Sequence, residues 1–443
     1  SDEVYDAAFR QYGVIRVDDC NEMYEIAKTL RRRKWPRGRR AAALSGSGGH
    51  SVLMADLGAA ENIEWPAYQP ETLQALGKLV PGFVSISNPT DLTSALTGSP
   101  KIYHDALKSI ADDPNVDFLI PVLVSPTTAA IEEVVKLEAS LEKPVAVLWT
   151  GYCPQDPSII ASTLVNRGLP VYRDAGMCLK SVRASMDYAA FLQKHRSAAA
   201  ATRPTGIDHD KAKSLLAAAG GQFTERTAKS VLAAYGLPVT REAIARSADE
   251  ACEIARKSGG RVALKIESPD ILHKTEAGAI RLGVEGDDSV RRAYDEVVAA
   301  ARAYAPSARI DGVLVQEMVN PGVEMMLGIA RDEVFGPVVV AGLGGIHVEV
   351  LRDLAYRVAP VSHMEARAML DELRAVALLH GVRGMKPRDI DAVCDAIEKL
   401  SWFAADFREA VREVDINPLV VLEAGAGARV VDALIVPDTG RSA

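Results

Sequence analysis

Four stretches of the chain combine residue types able to hold and move a phosphate. In the first, Ala263-Leu264-Lys265-Ile266 carries a lysine at the end of an apolar run, and the loop after it contains Ile271-Leu272-His273-Lys274-Thr275-Glu276-Ala277-Gly278. A fixed ammonium, a second one beside an imidazole, and a glycine offer positive charge and close backbone approach to phosphate oxygens. Alone this stretch is weak, because a strand-terminal lysine commonly just reaches for water.

The second stretch, Val313-Leu314-Val315-Gln316-Glu317-Met318-Val319 and then Gly322-Val323-Glu324, reads as an apolar strand entering a hinge. A hinge of this kind presents backbone donors and acceptors to an adenine edge, and Glu324 can hold ribose hydroxyls. The third, Phe335-Gly336-Pro337 and then Gly342-Leu343-Gly344-Gly345, spaces glycines closely enough for their amides to face an anion, although glycine-rich runs also mark ordinary turns. The fourth contains Asp415 and Asn417 in Glu413-Val414-Asp415-Ile416-Asn417-Pro418, with Asp432 on the later strand Arg429-Val430-Val431-Asp432-Ala433-Leu434. Oxygen ligands on neighbouring strands suit Mg²⁺, which keeps several waters and bridges nucleotide phosphates. The plainer reading of Asp415 and Asn417 is a turn-capping pair before proline, and a mixed case has Asp415 capping while Asn417 ligates. No GxxxxGK[ST] run occurs, so a nucleotide site here is not of the P-loop type.

The elements that must carry these groups can be read from the patterning. After residue 221 a helix over 225–235 leads into strands over 262–268, 312–319, 325–332 and 337–345, a mixed α+β pattern around a cleft. Upstream, 40–195 alternates apolar runs at 41–46, 114–125 and 144–151 with helical stretches, one beginning at Val52, which is the pattern of a parallel α/β domain. Between them 196–220 is rich in Ala with Pro and Gly, a linker with a short helix. Residues 1–33 show two helical stripes, Val4, Ala7, Ala8 and Tyr12, then Met23, Ile26, Ala27 and Leu30. The run Arg31-Arg32-Arg33-Lys34, flanked by Pro36 and Gly38, reads as a solvated linker. His50, in Ser47-Gly48-Gly49-His50, stands at the start of a helix whose N-terminus attracts anions.

Composition sets the outer bounds. With 48% apolar and 25% charged residues in 443, the chain has material for two or three packed domains. A net charge of −8 opposes nucleic-acid binding, which needs clustered Lys and Arg. The five cysteines are scattered and lack CxxC spacing, so neither a disulfide framework nor a zinc site is expected, and a reducing cytoplasm fits. No apolar run has the length of a membrane span, and the opening residues lack signal-peptide character.

Together and in this order, the four stretches closely resemble the ATP-grasp domain of NDP-forming (ADP-forming) acyl-CoA synthetases, relatives of succinyl-CoA synthetase. ILHKTEAGAIRLG, GVEMMLGIARDEVFGPVVVAGLGGIHVEVLRDLAYRVAPV and EVDINPLVV carry the likeness. Residues 40–195, through SGSGGHSVLMADL and Asn88-Pro89-Thr90-Asp91-Leu92, resemble the family's second CoA-ligase domain. The resemblance implies an α/β protein: a flavodoxin-like parallel-sheet CoA-ligase domain over 40–195, then a mixed α+β ATP-grasp domain over 221–443. Residues 1–39 would be a helical remnant of a preceding ligase domain plus linker, and 196–220 a second linker.

By the same resemblance Lys265 contacts nucleotide phosphates, joined by Lys274 and the glycines Gly278, Gly344 and Gly345. Gln316, Glu317 and Val319 flank adenine, Glu324 contacts ribose, and Asn417, Asp432 and Asp415 form the Mg²⁺ set. His273 matches the family's second phosphorylated histidine, and with Lys274 and Glu324 makes up the catalytic candidates. Neutral imidazole is a good nucleophile toward a metal-polarised phosphoryl group, which gives that role a chemical basis. The resemblance, with a small residue usual in the family at the place of His50, implies that His50 is peripheral to the site. The implied ligands are ATP or ADP, Mg²⁺, a carboxylic acid, and CoA as substrate of the complete enzyme, in an oligomer.

In the family a CoA-binding domain and a first ligase domain come earlier, the latter with the first phosphohistidine in a loop reading roughly SHTGAL. SDEVYDAAF resembles the family's segment immediately downstream of that loop, so the missing domains are expected in cis or as a separate chain, and this chain alone should not complete acyl-CoA synthesis. Two other classes stay open: a nucleotide-sensing ATP-grasp module without catalysis, and an ATP-grasp carboxylate ligase without a histidine relay.

Overall fold

The structure, a computed structural model, describes residues 1–80, 85–93, 99–153, 156–197, 202–220, 223–271, 274–344, 353–382 and 384–438. Two of the candidate site residues, His273 and Gly345, lie outside the described residues. The chain divides into two compact units, Tyr12–Ala198 and Ser1–Gln11 with Ala199–Ala443.

In the first of these units five parallel strands lie in the order Thr90–Asp91, Ala41–Ser45, Phe118–Leu123, Val147–Trp149, Val171–Tyr172. This 2-1-3-4-5 order is the flavodoxin-like arrangement. The strands read as unbroken apolar runs because both faces are covered. Ala41, Ala43, Phe118, Ile120 and Leu148 pack with Met54, Leu179 and Val182 on one side. Ala42, Leu44, Leu119, Val147 and Trp149 pack with Tyr103, Leu107, Ile131 and Val134 on the other.

Three local expectations are corrected in this unit. The helix Gly48–Ala60 begins at Gly48, ahead of Val52, since a first turn made of glycines carries no apolar period to read. The helix Cys20–Leu30 buries Glu22, Ile26 and Thr29, whereas Met23 and Ala27 are exposed. Thr29 shares a 2.6 Å hydrogen bond with the Tyr172 hydroxyl, which is how a polar residue enters that face. The basic run is solvated only in part: Arg31 and Arg33 are exposed, whereas Arg32 Nη2 donates to both oxygens of Glu138 at 2.7 and 2.8 Å, and Lys34 Nζ to Glu138 Oε1 at 2.9 Å. Glu138 is itself buried, so its charge has to be paired.

The other unit contains two antiparallel sheets. One has the order Glu242–Ala245, Gly312–Glu317, Arg261–Glu267, Ile280–Glu285. Val262, Leu264, Ile266, Val313 and Val315 pack against Ala251, Val290 and Val297 of the helices Ala248–Lys257 and Asp287–Tyr304. With the strand period of two, Lys265, Glu267, Leu314 and Gln316 face away from those helices.

The second sheet has the order Leu354–Val358, Gly336–Leu343, Val323–Asp332, Val411–Val421, Ala428–Val430, and Ala433–Pro437 also pairs with Val411–Val421. Met325, Leu327, Val414 and Ile416 share a core with Ile397, Leu400 and Phe403 of the helix Ile390–Asp406, and with Val231 and Leu232 of the helix Glu225–Ala234. Ala212 of the helix His209–Ala218 enters the same core. The alternate residues Glu324, Gly328, Asp415 and Asn417 therefore occupy the opposite, open face. The helix Asp2–Tyr12 also lies on this unit, from Tyr5 to Gln11. The Tyr5 ring meets Phe335 edge-on at 4.9 Å, and Gln11 exchanges hydrogen bonds of 3.0 and 2.8 Å with the Val358 backbone of the edge strand.

Candidate functional site

The helix Glu225–Ala234 starts at the side-chain cap of Thr224, whose hydroxyl accepts from the Thr227 amide. That start brings Glu225 to the side of the four-stranded sheet that its helices leave uncovered. Lys265 Nζ donates to Glu225 Oε1 at 2.8 Å and Lys274 Nζ to Glu225 Oε2 at 3.1 Å, so the two lysines of the first stretch are brought together on one carboxylate. Lys229, one helical turn on, donates to Glu225 Oε1 at 3.2 Å, to Thr240 Oγ1 at 3.2 Å and to the Val431 carbonyl at 3.0 Å, and also pairs with Glu242. Its side chain is only 1% exposed, a burial that needs this many partners.

Charge is distributed unevenly across the cluster. Burial alone would raise the Glu225 carboxyl, but Lys265, Lys274 and Lys229 outweigh it and hold it at about 2. Burial raises Glu242 even against the pull of Lys229. Glu267, one turn of strand beyond Lys265, is buried, and its Oε2 has no hydrogen-bond partner among the described residues; Lys274 Nζ is 3.9 Å away.

Val431 links the two sheets. Its carbonyl accepts from Lys229 and, at 3.0 Å, from Gln316 Nε2, while the Val431 amide donates to the Pro418 carbonyl at 3.1 Å. The next residue, Asp432, is thus set between the lysine cluster and the acidic strand. It keeps a solvent-accessible edge while protein crowds its other side; that crowding and the Glu225 charge raise its carboxyl, against the pull of Lys265, Lys274 and Lys229. Asp415 is half-buried, and its carboxyl is likewise raised by burial, then by Glu413 and Asp432.

Asp415 pairs in register with Gly328 on one side and Leu434 on the other. It is a mid-strand residue, so the turn-capping alternative falls. Ile416 pairs with Ala433, and continuing that antiparallel register sets Asn417 beside Asp432. The donor set is two carboxylates and an amide oxygen, hard ligands on one face. Among the described residues no group of three His, Cys, Asp or Glu is arranged to hold a metal without help. A set this sparse fits Mg²⁺, which takes one or two carboxylates and completes its shell with water and phosphate oxygens.

The remaining candidates occupy the rim. Glu324 is exposed on the open face of its strand, and its carbonyl accepts from the Gly344 amide at 2.8 Å. A Cβ on Gly344 would meet backbone atoms of Glu324 and Met325 at 2.9 to 3.0 Å, so glycine is required by close packing of two backbones. Gly278 has φ of 62° in the turn behind Lys274, where its own amide donates to the Thr275 carbonyl at 3.0 Å. The Glu317 carboxylate is engaged by Arg241, at 2.9 Å from its amide and 2.6 Å from its Nε, and the Glu317 amide donates to the Arg241 carbonyl at 3.0 Å. Gln316 is not a free contact: its amide donates to Thr240 Oγ1 at 2.9 Å and Glu242 Oε2 at 3.0 Å as well as to Val431. Glu225, Lys229 and Glu242 were not singled out from the sequence. Their one legible signal is Glu225 and Lys229 at i and i+4, with Lys229 inside the apolar stripe Ala228, Val231, Leu232. His50 belongs to the Tyr12–Ala198 unit, with Nε2 at 3.0 Å from Thr150 Oγ1.

Lysines thus gather at the smaller antiparallel sheet and hard oxygen ligands at the larger one, and the ATP-grasp domain family model matches residues 214–436. The chain is 41% identical over 214 residues to the beta subunit of Pyrococcus furiosus acetate–CoA ligase (ADP-forming) II, covering 48% of this chain and 91% of that protein. It is 33% identical over 426 residues to Archaeoglobus fulgidus acetate–CoA ligase (ADP-forming) I, covering 96% of this chain and 60% of that one. The chain thus spans about three-fifths of the length of that longer relative. The crystal structure of PH1788 from Pyrococcus horikoshii superposes with a TM-score of 0.50 at 37% identity, over 53% of this chain and 100% of that one. The chain belongs to the ATP-grasp proteins and, within them, to the ADP-forming acyl-CoA synthetase family.

Proposed function

We propose that this chain supplies the nucleotide-binding and phosphoryl-relay part of an acid–thiol ligase that converts carboxylate, CoA and ATP to acyl-CoA, ADP and phosphate. The observation that carries this reading is that Lys265, on a strand of the smaller sheet, and Lys274, in the loop after that strand, meet near Asp432, and beside it Asn417, at the larger sheet. A polyphosphate between them would meet ammonium groups on one side and a metal-binding edge on the other.

In this reading Lys265 and Lys274 hold the phosphate oxygens, the Gly344 region lines their approach, and the backbone at Glu317 and Val319 meets adenine while Glu324 takes the ribose hydroxyls. Asn417, Asp432 and Asp415 would hold Mg²⁺, which when bound offsets charge on the transferring group. A neutral His273 nitrogen then attacks the γ-phosphorus; the N–P bond forms as the bridging P–O bond breaks and its electron pair leaves with ADP. The phosphoryl group would pass on to a histidine supplied by the rest of the assembly, where the acid and CoA are joined. The matched relatives' names make acetate the first acid to test. A cytoplasmic, oligomeric enzyme completes the proposal; among the described residues no helix is long and apolar enough to cross a membrane.

Calorimetric titration with ADP in Mg²⁺ tests the nucleotide half. Saturable one-to-one binding, weakened in Lys265→Ala, supports it, and an unmodified chain that takes up no ADP or ATP ends it.

A further inference from the structure

Glu225 stands outside every role assigned above, although each of its oxygens is engaged by a lysine of the phosphate-facing cluster. Its side chain is 7% exposed, Oε1 accepts from Lys265 at 2.8 Å and Lys229 at 3.2 Å, and Oε2 accepts from Lys274 at 3.1 Å. Lys265 and Lys274 come from different places, a rigid strand and the loop beyond it. A lysine side chain has four rotatable bonds, and two like charges left to themselves would separate. The shared carboxylate fixes the distance between them.

We propose that Glu225 is a positioning residue for the nucleotide site: it pins the ammonium groups of Lys265 and Lys274, one per carboxylate oxygen, and offsets part of their charge toward bound phosphates. This rests on the nucleotide reading given above. Helix Glu225–Ala234 is well placed for the task, because Lys229, four residues on, ties the same carboxylate back to Glu242, Thr240 and Val431, and so to both sheets. The arrangement has two separable effects. The negative charge weakens the hold on any polyphosphate, which favours release of ADP after transfer. The bidentate geometry keeps the lysines where a transferring phosphoryl group needs them, and charge stabilisation of that kind depends on prior placement.

The two effects predict opposite changes when Glu225 becomes neutral. In the full chain, Glu225→Gln keeps the size and loses the charge, so ADP should bind roughly tenfold more tightly in Mg²⁺, as expected for one unit charge removed near a phosphate. Transfer of label from γ-labelled ATP to protein at saturating nucleotide should fall by roughly tenfold or more. Glu225→Asp keeps the charge and shortens the reach: ADP affinity should stay within about threefold of the parent while transfer still drops, a split that a purely structural role does not produce. Unchanged or weaker ADP binding in Glu225→Gln, measured on protein whose melting temperature matches the parent, overturns the proposal. If Glu225→Gln melts early, Glu225→Asp decides alone, and loss of affinity and transfer in equal proportion overturns it. Failure of the unmodified chain to bind ADP overturns the nucleotide reading itself, whereas binding with no difference between parent and Glu225→Gln overturns only the role of Glu225.

Discussion

Lys229 and Gln316 donate to the same acceptor, the carbonyl of Val431, each at 3.0 Å. One lies on a helix that packs into the core of the larger sheet, the other on a strand of the smaller sheet, and the shared carbonyl immediately precedes Asp432. Their common partner is what makes the acidic edge and the lysine cluster one site.

Breaking that junction should cost stability as well as binding. Lys229→Met leaves Glu225 and Glu242 buried with fewer counter-charges, a loss of about 3 to 5 kcal/mol. Gln316→Ala, which removes one donor from the same carbonyl, should cost about 1 to 3 kcal/mol. Urea unfolding of the two variants checks the ranking, and equal midpoints for Lys229→Met and the parent would refute it.

Lys265→Ala should weaken Mg-ATP binding by roughly 10- to 100-fold, the worth of a hydrogen bond from a charged donor. The expected change in affinity comes with a loss of stability, since Lys265 is buried and is a counter-charge of the buried Glu225, so binding is measured below the variant's own melting temperature. Unaltered affinity by calorimetry would remove Lys265 from the phosphate site.

Asp432→Asn and Asp415→Asn should raise the Mg²⁺ concentration needed for half-maximal ATP binding several-fold, while ADP binding measured in a chelator is not weakened. A metal requirement identical to the parent's in both variants would place the ion elsewhere.

Acid should weaken the fold partly through Glu225. Its carboxyl lies at about 2 in the folded chain against 4.5 for an unperturbed glutamate. A depressed carboxyl contributes stability that is complete above the unfolded value and is lost as pH falls through the folded one. The window is therefore from about pH 4.5 down to about 2, and the contribution is on the order of 3 kcal/mol. Unfolding free energy followed from pH 5 to 3 should drop less steeply in Glu225→Gln than in the parent, and parallel curves would contradict this.

Much of this was legible in the residues. The apolar runs at Ala41–Ser45 and Phe118–Leu123 announce buried parallel strands, and Lys265, the hinge and Asp415 fall on the strands they were read on, whereas Asp432, read on a strand over 429–434, lies between the strands Ala428–Val430 and Ala433–Pro437. What could not be read has a common physical cause. Whether Asp415 caps a turn or lies mid-strand depends on pairing with Gly328 and Leu434, which come from distant stretches of chain. Likewise Glu138 neutralises Arg32 and Lys34 from a hundred residues away. Charged residues such as Lys229 look solvent-facing until long-range partners are known, and the Glu225 cluster consists of such partners.

The most direct test of the account is covalent. The full chain is incubated with Mg-ATP labelled at the γ-phosphate, beside His273→Ala, and protein-bound label is assayed for stability to acid and base. The account predicts acid-labile, base-stable label on the parent, none on His273→Ala, and equal ATP affinity in the two. Undiminished label on His273→Ala, or loss of label and nucleotide affinity together, would contradict it.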